Sequence, residues 1–144
     1  MCEPLSVGVS ACRRAKVGPE TKVLIMGAGP IGLVTLLAAR AFGAPKIIAD
    51  VDDKRLIFAK KLGAYEIVKV STNTLVRPGV DVTVDCAGFN KTMTTTLSAT
   101  RAGGKVCFVG MGHNEMTVPL MPTAAGGGRY GRSILVPEHK AIMP

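Results

Sequence analysis

A short glycine-rich run has the residue types and spacing to hold a diphosphate. From Gly27 the chain reads Gly-Ala-Gly-Pro-Ile-Gly, which fits the pattern Gly-x-Gly-x-x-Gly. In that pattern Gly27 permits a tight turn, Gly29 lets the backbone approach the phosphates, and Gly32 lets a helix pack closely on a strand. Together with Pro30 and Ile31 they form the predicted phosphate site, because free N–H groups at a helix start favour negative charge. A tight turn without a ligand is the alternative.

A carboxylate further along the chain is the second part of such a site. An acidic residue about 20 positions after the glycines accepts hydrogen bonds from the adenosine ribose. Asp50 stands near that distance, and we favour it over Asp52 and Asp53, which also fit the first turn of a helix. A carboxylate here would repel a 2′-phosphate, so the predicted cofactor is NAD rather than NADP. The predicted contacts also include Arg55.

Alternating strands and helices must position these residues. Short apolar runs predict strands, and longer periodic segments predict helices. An acidic turn is expected at 50–53, and Gly103 and Gly104 are expected to lead into the last strand. This alternation predicts an α/β fold of the Rossmann type, a doubly wound and mostly parallel sheet. The predicted strands are 22–26, 46–49, 66–70, 80–86 and 105–109, and the predicted helices are 5–15, 31–42, 54–62 and 91–99.

Composition narrows the classes of partner. The chain has 144 residues and a net charge of +8, but its basic residues occur in isolated pairs and it contains few aromatic side chains. Nucleic-acid binding is therefore not expected. The apolar stretch 23–39 is interrupted by glycines and a proline and is too short for a membrane span. A surface that attracts small anionic molecules is the simpler interpretation of the charge.

Cysteine usage and the first residues bear on location. The four cysteines are widely spaced and form no Cys-x-x-Cys pair, which indicates a reducing compartment rather than a disulfide framework. The chain opens with an acid and a proline where a secretory signal needs basic and then apolar residues. We therefore expect a cytoplasmic protein.

Four motifs of the chain carry a resemblance to a known family. They are Cys-Glu-Pro-Leu-Ser-Val-Gly-Val at 2–9, Gly-Ala-Gly-Pro-Ile-Gly-Leu at 27–33, Asp-Cys-Ala-Gly-Phe-Asn-Lys-Thr-Met at 85–93, and the glycine-rich segment 103–113. Together they resemble the sorbitol dehydrogenase and L-idonate 5-dehydrogenase family, in its plant form, which belongs to the zinc-dependent medium-chain dehydrogenases. The resemblance covers roughly residues 1–122 and is specific to the polyol branch.

The resemblance implies NAD-dependent oxidation of a polyol to a ketose at a zinc ion. It implies that Glu3 is a zinc ligand and that the other ligands, a Cys and a His, belong to a catalytic domain outside these residues. We therefore expect no zinc to be held and no turnover by this chain alone. It also implies that two turns line the nicotinamide side. Their residues are Cys86, Ala87 and Gly88 in one turn, and Val109, Gly110 and Met111 in the other.

The chain also departs from the family pattern. The second strand is one residue short, which could shift Asp50, and the crossover at 71–79 is too short for a usual helix. We divide the chain into a leading helix (1–18), an incomplete NAD-binding domain (19–122) and a divergent, loosely ordered tail (123–144). His113 and His139 are expected at the surface.

Several alternatives to a dehydrogenase fragment stay open. The chain could be a non-catalytic dinucleotide-binding or subunit-interaction module, forming a homo-oligomer or joining full-length subunits. It could be a methyltransferase that uses S-adenosylmethionine, since that class shares a glycine-rich turn and a second-strand acid. It could also be a spliced or misread product that folds poorly, because loss of a crossover helix uncovers apolar sheet surface.

Overall fold

A computed structural model describes residues 2–70, 79–110 and 133–135 of the chain. The helices and strands alternate through the first two ranges, as the hydrophobic pattern predicts. No helix in the described ranges is long and apolar enough to cross a membrane. The elements are α1 (Cys2–Arg14), β1 (Val23–Met26), α2 (Pro30–Ala41), β2 (Lys46–Asp50), α3 (Asp53–Lys61), β3 (Glu66–Lys69), β4 (Val80–Asp85), α4 (Asn90–Ala99), β5 (Thr100–Phe108) and β6 (Ser133–Leu135).

The described strands form one six-stranded sheet in the order β3-β2-β1-β4-β5-β6. Every pair of neighbouring strands is parallel. The chain moves outward from β1 to β3, then returns to the other side of β1 to form β4. This reversal between β1 and β4 is the point at which open α/β sheets bind ligands, outside the carboxyl ends of the strands. The predicted fold class is confirmed.

Side chains of β1 alternate between the two faces of the sheet. Val23 and Ile25 join the larger core cluster, which also contains buried residues of α1, α2 and α3. Leu24 and Met26 point to the opposite face and pack in a smaller cluster with Ala99 of α4. Helices therefore lie on both faces of the sheet, and β1 is buried on both, as expected for a central parallel strand.

The close packing of α1 on α2 depends on a glycine. A Cβ atom built on Gly8 would lie 3.0 Å from the backbone nitrogen of Thr35 in α2. The absence of a side chain at Gly8 lets the two helix backbones approach each other. The leading segment thus packs directly on the helix that follows the glycine-rich run.

The prediction for β5 was wrong at its start. Strand β5 begins at Thr100, directly after α4, and Gly103 and Gly104, expected just before the strand, lie inside it. The pairing with β4 shifts between Val80 and Val82, and Gly103 has φ +75°. A Cβ atom on Gly104 would lie 2.8 Å from the carbonyl oxygen of Asp81. The two glycines therefore permit an irregularity within a strand rather than a turn before it.

Part of the tail also differs from expectation. Residues Ser133–Leu135, predicted to be loosely ordered, form β6 and pair in parallel with Lys105, Val106 and Cys107 of β5. Main-chain hydrogen bonds to β5 are available to any sequence, so the low periodicity of the tail did not reveal this strand. The rest of the tail, including His113 and His139, lies outside the described residues, as do most of the short crossover (71–78) and Met111.

The face beneath the short crossover keeps a buried centre. Leu24 and Met26 of β1 are at most 1% exposed. Ile47 of β2, Val68 of β3 and Val70 just after β3 are partly buried and pack against the same cluster. The expectation that this face is uncovered therefore does not hold at β1, and these three residues keep some exposure.

Candidate functional site

The glycine-rich turn joins the carboxyl end of β1 to the start of α2. Gly27 has φ +101°, a region that side chains disfavour, and its N–H donates to the carbonyl of Ala49 at 2.7 Å. A Cβ atom on Gly32 would lie 1.8 Å from the carbonyl oxygen of Gly27. Helix and turn are therefore in direct backbone contact, as predicted for the first and third glycines.

Gly29 faces open space. Among the residues that the structure describes, a Cβ atom built there would meet no heavy atom within 4 Å, so packing within this part of the chain does not require a glycine at this position. Gly29 is the N-cap residue of α2, and Pro30 follows in the first turn. Among the described residues, no side chain caps this helix end and no acid lies in its first turn. The N-terminal amides of α2 can thus serve an external anion.

Asp50 ends β2 beside this turn. Its Oδ2 accepts a hydrogen bond from the Ala28 amide at 2.7 Å, and its Oδ1 accepts one from the Asp52 amide at 2.8 Å. The residue is 8% exposed. The short second strand has therefore not turned the carboxylate away from the glycine-rich turn.

The other two acids lie elsewhere. Asp52 is the N-cap of α3, where its side chain accepts from the amides of Lys54 and Arg55. Asp53 pairs with Lys69 at 2.6 Å, and both side chains are exposed. Local helix and strand contacts account for both carboxylates, so Asp50 is the acid that faces the glycine-rich turn.

A cavity of about 260 Å³ opens at this end of the sheet. It brings together Gly27, Gly29 and Asp50 with Arg55, whose guanidinium lies 4.0 Å from Asp50 Oδ2. Cys86 and Ala87 of the turn after β4 also line it. Residues from three parts of the chain that the sequence analysis selected thus share one cavity.

Other predicted residues lie close by without lining that cavity. Pro30, Ile31 and Gly32 form the first turn of α2. Gly88, Val109 and Gly110 belong to the turns after β4 and β5, which touch each other. A Cβ atom on Gly110 would lie 2.4 Å from the backbone nitrogen of Gly88. These residues shape the turns, whereas their role toward a cofactor stays a prediction.

Several lining residues of the cavity were not predicted from the sequence. Val51, Phe89 and Thr92 line the cavity, and Val51 and Phe89 are 70% and 64% exposed. Exposed apolar side chains at a cavity rim suit a flat aromatic ligand group. The available signal was that Val51 directly follows β2 and that Phe89 lies between β4 and α4. The remaining missed lining residues are Met26, Ala49 and Val70.

Thiol chemistry is not favoured at this site. The Cys86 thiol lies 3.7 Å from the Thr35 hydroxyl, and burial raises its pKa to about 12. Burial likewise raises the pKa of Cys12 and of Cys107 to about 11. Neutral thiols are poor nucleophiles and poor metal ligands. Cys12 and Cys107 therefore act as small core residues, and Cys86 lines the cavity as a neutral thiol.

The family resemblance implies a zinc ion in the whole protein, but the described part of the chain contains no set of zinc ligands. Within residues 2–70 and 79–110, no three His, Cys, Asp or Glu residues are grouped so that they could hold a metal ion. Glu3 lies in α1, but its side chain is outside the described part. Its role as a zinc ligand stays a prediction.

The fold and this cavity define a Rossmann-like α/β domain with a glycine-rich turn at its switch point. The family model of zinc-binding dehydrogenases matches residues 30–140. The chain therefore belongs to the zinc-binding dehydrogenase family. The resemblance found in the sequence is confirmed, and the match extends beyond the segment in which it was seen.

Named relatives agree with this assignment. The chain is 66% identical over 139 residues to L-idonate 5-dehydrogenase of Vitis vinifera and 66% identical over 138 residues to sorbitol dehydrogenase of Arabidopsis thaliana. Each alignment covers 87% of this chain and 38% of the relative. The solved structure of L-idonate 5-dehydrogenase from Escherichia coli superimposes with a TM-score of 0.84 at 28% identity, covering 93% of this chain and 39% of that one. The chain thus spans about two fifths of the length of these relatives.

Proposed function

We propose that this chain is the NAD-binding part of a polyol dehydrogenase. The carboxyl ends of β1, β2 and β4 would bind the adenosine and diphosphate portions of the cofactor. The observation that carries the proposal is the buried Asp50 carboxylate, which is hydrogen-bonded to the Ala28 amide of the glycine-rich turn. One contact thereby couples a ribose-binding acid to a diphosphate-binding turn.

Asp50 has acceptor capacity left for a ribose. A carboxylate offers about four lone-pair sites, and the amides of Ala28 and Asp52 use two of them. The remaining sites can accept hydrogen bonds from two neighbouring ribose hydroxyls. A 2′-phosphate would instead meet a negative charge, which favours NAD over NADP.

The glycine-rich turn supports the diphosphate portion. The open space at Gly29 lets phosphate oxygens approach the backbone, and the N-terminal amides of α2 add the positive end of the helix dipole. The exposed side chains of Val51 and Phe89 offer apolar surface to an adenine ring. When bound, the nicotinamide would supply hydride transfer, and the described residues would bind and orient the cofactor.

A thermal-shift experiment on the purified chain tests cofactor binding. Melting curves would be recorded without ligand and with NAD, NADP or S-adenosylmethionine at equal concentrations. A ligand at 100 times its Kd stabilises a protein by about 2.7 kcal/mol. We expect NAD to raise the melting temperature more than NADP does. A shift with S-adenosylmethionine and none with NAD would favour the methyltransferase alternative and overturn the proposal.

The substrate class comes from the relatives, whose names specify sorbitol and L-idonate. For the whole protein we propose oxidation of a secondary alcohol of a polyol or sugar acid. The described residues present no grouped zinc ligands, so we expect the chain to bind NAD without oxidising sorbitol when zinc is added. NADH formation that depends on this chain, followed at 340 nm, would contradict that expectation.

Assembly and location stay expectations. Association with a second copy or with a full-length subunit is proposed from the resemblance alone. Residence in the cytoplasm is proposed from the widely spaced cysteines, which favour a reducing compartment. Light scattering of the chain, alone and mixed with a full-length relative, would distinguish the two kinds of assembly. A monomeric chain in the first sample would contradict self-association. The absence of any mixed species in the second sample would contradict association with a full-length subunit.

A further inference from the structure

Asp85 is a buried carboxylate that does not line the cavity of the proposed cofactor site. It ends β4 and is 0% exposed. It lies on the sheet face covered by α4, whose Thr92 hydroxyl is 3.4 Å from its Oδ1. We propose that Asp85 is a positioning residue for the cofactor site, holding together the turns that follow β4 and β5. This inference rests on the proposed function, because the positioned turns are those that would contact NAD.

The side chain of Asp85 shapes the turn after β4. Its Oδ1 accepts hydrogen bonds from the amides of Ala87 at 2.9 Å and Gly88 at 3.0 Å. The amide of Cys86 donates to the carbonyl of Met26 at 2.8 Å, so the turn is anchored to β1 as well. The amides of Cys86, Ala87 and Gly88 thus all have hydrogen-bond acceptors, and Asp85 Oδ1 is the acceptor for the last two.

The main chain of Asp85 shapes the turn after β5. Its carbonyl oxygen accepts from the amides of Val109 at 2.9 Å and Gly110 at 2.8 Å. One residue therefore supplies acceptors to four amides in two different turns. Loss of the side chain would remove the acceptor for the first turn and leave the second with its main-chain contacts.

The turns are packed so closely that a small displacement is transmitted. A Cβ atom on Gly110 would lie 2.4 Å from the nitrogen of Gly88, and one on Gly27 would lie 3.3 Å from the nitrogen of Ala87. The turn held by Asp85 is thus in van der Waals contact with both the glycine-rich turn and the turn after β5. A shift of Ala87 and Gly88 would move the cavity wall opposite Asp50.

The arrangement requires an acceptor rather than a charge. Asp85 Oδ2 is fully buried and has no hydrogen-bond partner among the described residues, and an unpaired charged oxygen in that setting is costly. An asparagine would keep the acceptor at Oδ1 and remove the charge. A leucine would have similar bulk and no acceptor.

Amide hydrogen exchange on the full chain without ligand, together with NAD titration, separates these cases. We expect Asp85→Leu to speed exchange at Ala87 and Gly88 by about tenfold or more and to raise the Kd for NAD by a similar factor. Asp85→Asn should retain the protection and the affinity of the wild type. Thr83→Val is the matched control, since Thr83 is buried on the same strand and bonds to Thr100 at 2.8 Å, away from the turns.

Each outcome decides the inference. Unchanged amide exchange at Ala87 and Gly88 in Asp85→Leu would overturn the role of Asp85. Loss of protection at these amides in Asp85→Asn would also overturn it. The asparagine variant therefore tests the inference even if the leucine variant does not fold. Equal loosening of the turns in Thr83→Val would mean a general loss of stability instead. Failure of the wild type to bind NAD would refute the proposed function and this inference with it. If the wild type and Asp85→Leu both bind NAD normally and show identical amide exchange, the role of Asp85 is refuted and the proposed function is not.

Discussion

The amide of Ala28 donates a hydrogen bond to Oδ2 of Asp50 across 2.7 Å, joining the glycine-rich turn to the end of the neighbouring strand. The two residues lie 22 positions apart in the sequence. This contact fixes the carboxylate beside the backbone proposed to hold phosphate. It explains why the acid is buried although it lies at the rim of a cavity.

Replacement of Asp50 should alter cofactor preference. Asp50→Ala removes the acceptor proposed for the ribose and leaves Arg55, whose guanidinium lies 4.0 Å from Oδ2 in the native chain. We expect the Kd for NAD to rise about tenfold and the discrimination against NADP to be lost, because Arg55 can then attract a 2′-phosphate. Isothermal titration with both cofactors measures the ratio.

Asp53→Ala is the control for the loss of a nearby carboxylate. Asp53 pairs with Lys69 and is exposed, so its removal should leave both affinities unchanged. A similar loss of NAD binding in the two variants would indicate a general effect of charge rather than a specific role for Asp50.

The glycines of the turn should separate folding from binding. Gly32→Ala places a Cβ atom 1.8 Å from a backbone oxygen, so we expect a cost of at least about 1–3 kcal/mol in the free energy of unfolding. Gly29→Ala meets open space and should change stability by less than about 1 kcal/mol while weakening NAD binding. Urea denaturation and NAD titration of both variants test this. A stable Gly32→Ala variant would contradict the backbone contact described above.

The buried thiols should make the chain sensitive to alkali. Cys12, Cys86 and Cys107 have pKa values raised by burial from 9.0 to about 11, 12 and 11. Thiols that ionise more readily in the unfolded chain stabilise the native state below pH 9.0, and this contribution is lost as the pH rises toward 11–12. Urea midpoints should therefore fall progressively above about pH 9.

A thiol reagent provides an independent measurement. In a Cys2→Ser background, the buried Cys12 and Cys107 and the partly buried Cys86 should react slowly with a disulfide reagent at about pH 8 and rapidly once the chain is unfolded. Fast reaction of the native chain would show that at least one thiol is accessible. Replacement of Cys107 by Ala should weaken the alkaline loss of stability.

Asp81 should stabilise the native state at neutral pH and lose this effect in acid, whereas the effect of the thiols is lost in alkali. Burial alone would raise its pKa, but the hydrogen bond from the Lys22 amide and the contact with Arg101 outweigh it and lower the pKa below 3.8. Its stabilising contribution is therefore present above pH 3.8 and is lost as the pH falls through the lowered value. Because the pair is partly exposed, we expect Asp81→Asn to cost no more than about 1 kcal/mol at neutral pH.

Acid unfolding curves test this prediction. The variant Asp81→Asn should lose less stability than the wild type between neutral pH and about pH 3. Asp85 opposes this trend, because burial raises its pKa and its contribution is lost as the pH rises instead. An acid profile of Asp81→Asn identical to that of the wild type would show that Asp81 has no such role.

Much of the fold was predictable because its signals are local. The runs that form β1, β2 and β3 and the segments that form α2 and α3 were located to within one residue at either end. Strand β5 was not, because the glycines at 103–104 look like a turn in isolation. Their actual role depends on Asp81 and Thr100, which lie next to them in the folded sheet.

The candidate site divides in the same way. The sequence alone determined the glycine-rich turn between a strand and a helix, since the order of apolar, glycine and helical residues is a local property. Tertiary structure decided that Asp50, rather than Asp52 or Asp53, faces that turn. Tertiary structure also placed Phe89 and Thr92 at the cavity and brought Asp85 into hydrogen-bond contact with the turns after β4 and β5. The physical reason is that strand pairing, with Met26 between Ala49 and Asp85, sets which residues meet across the sheet edge.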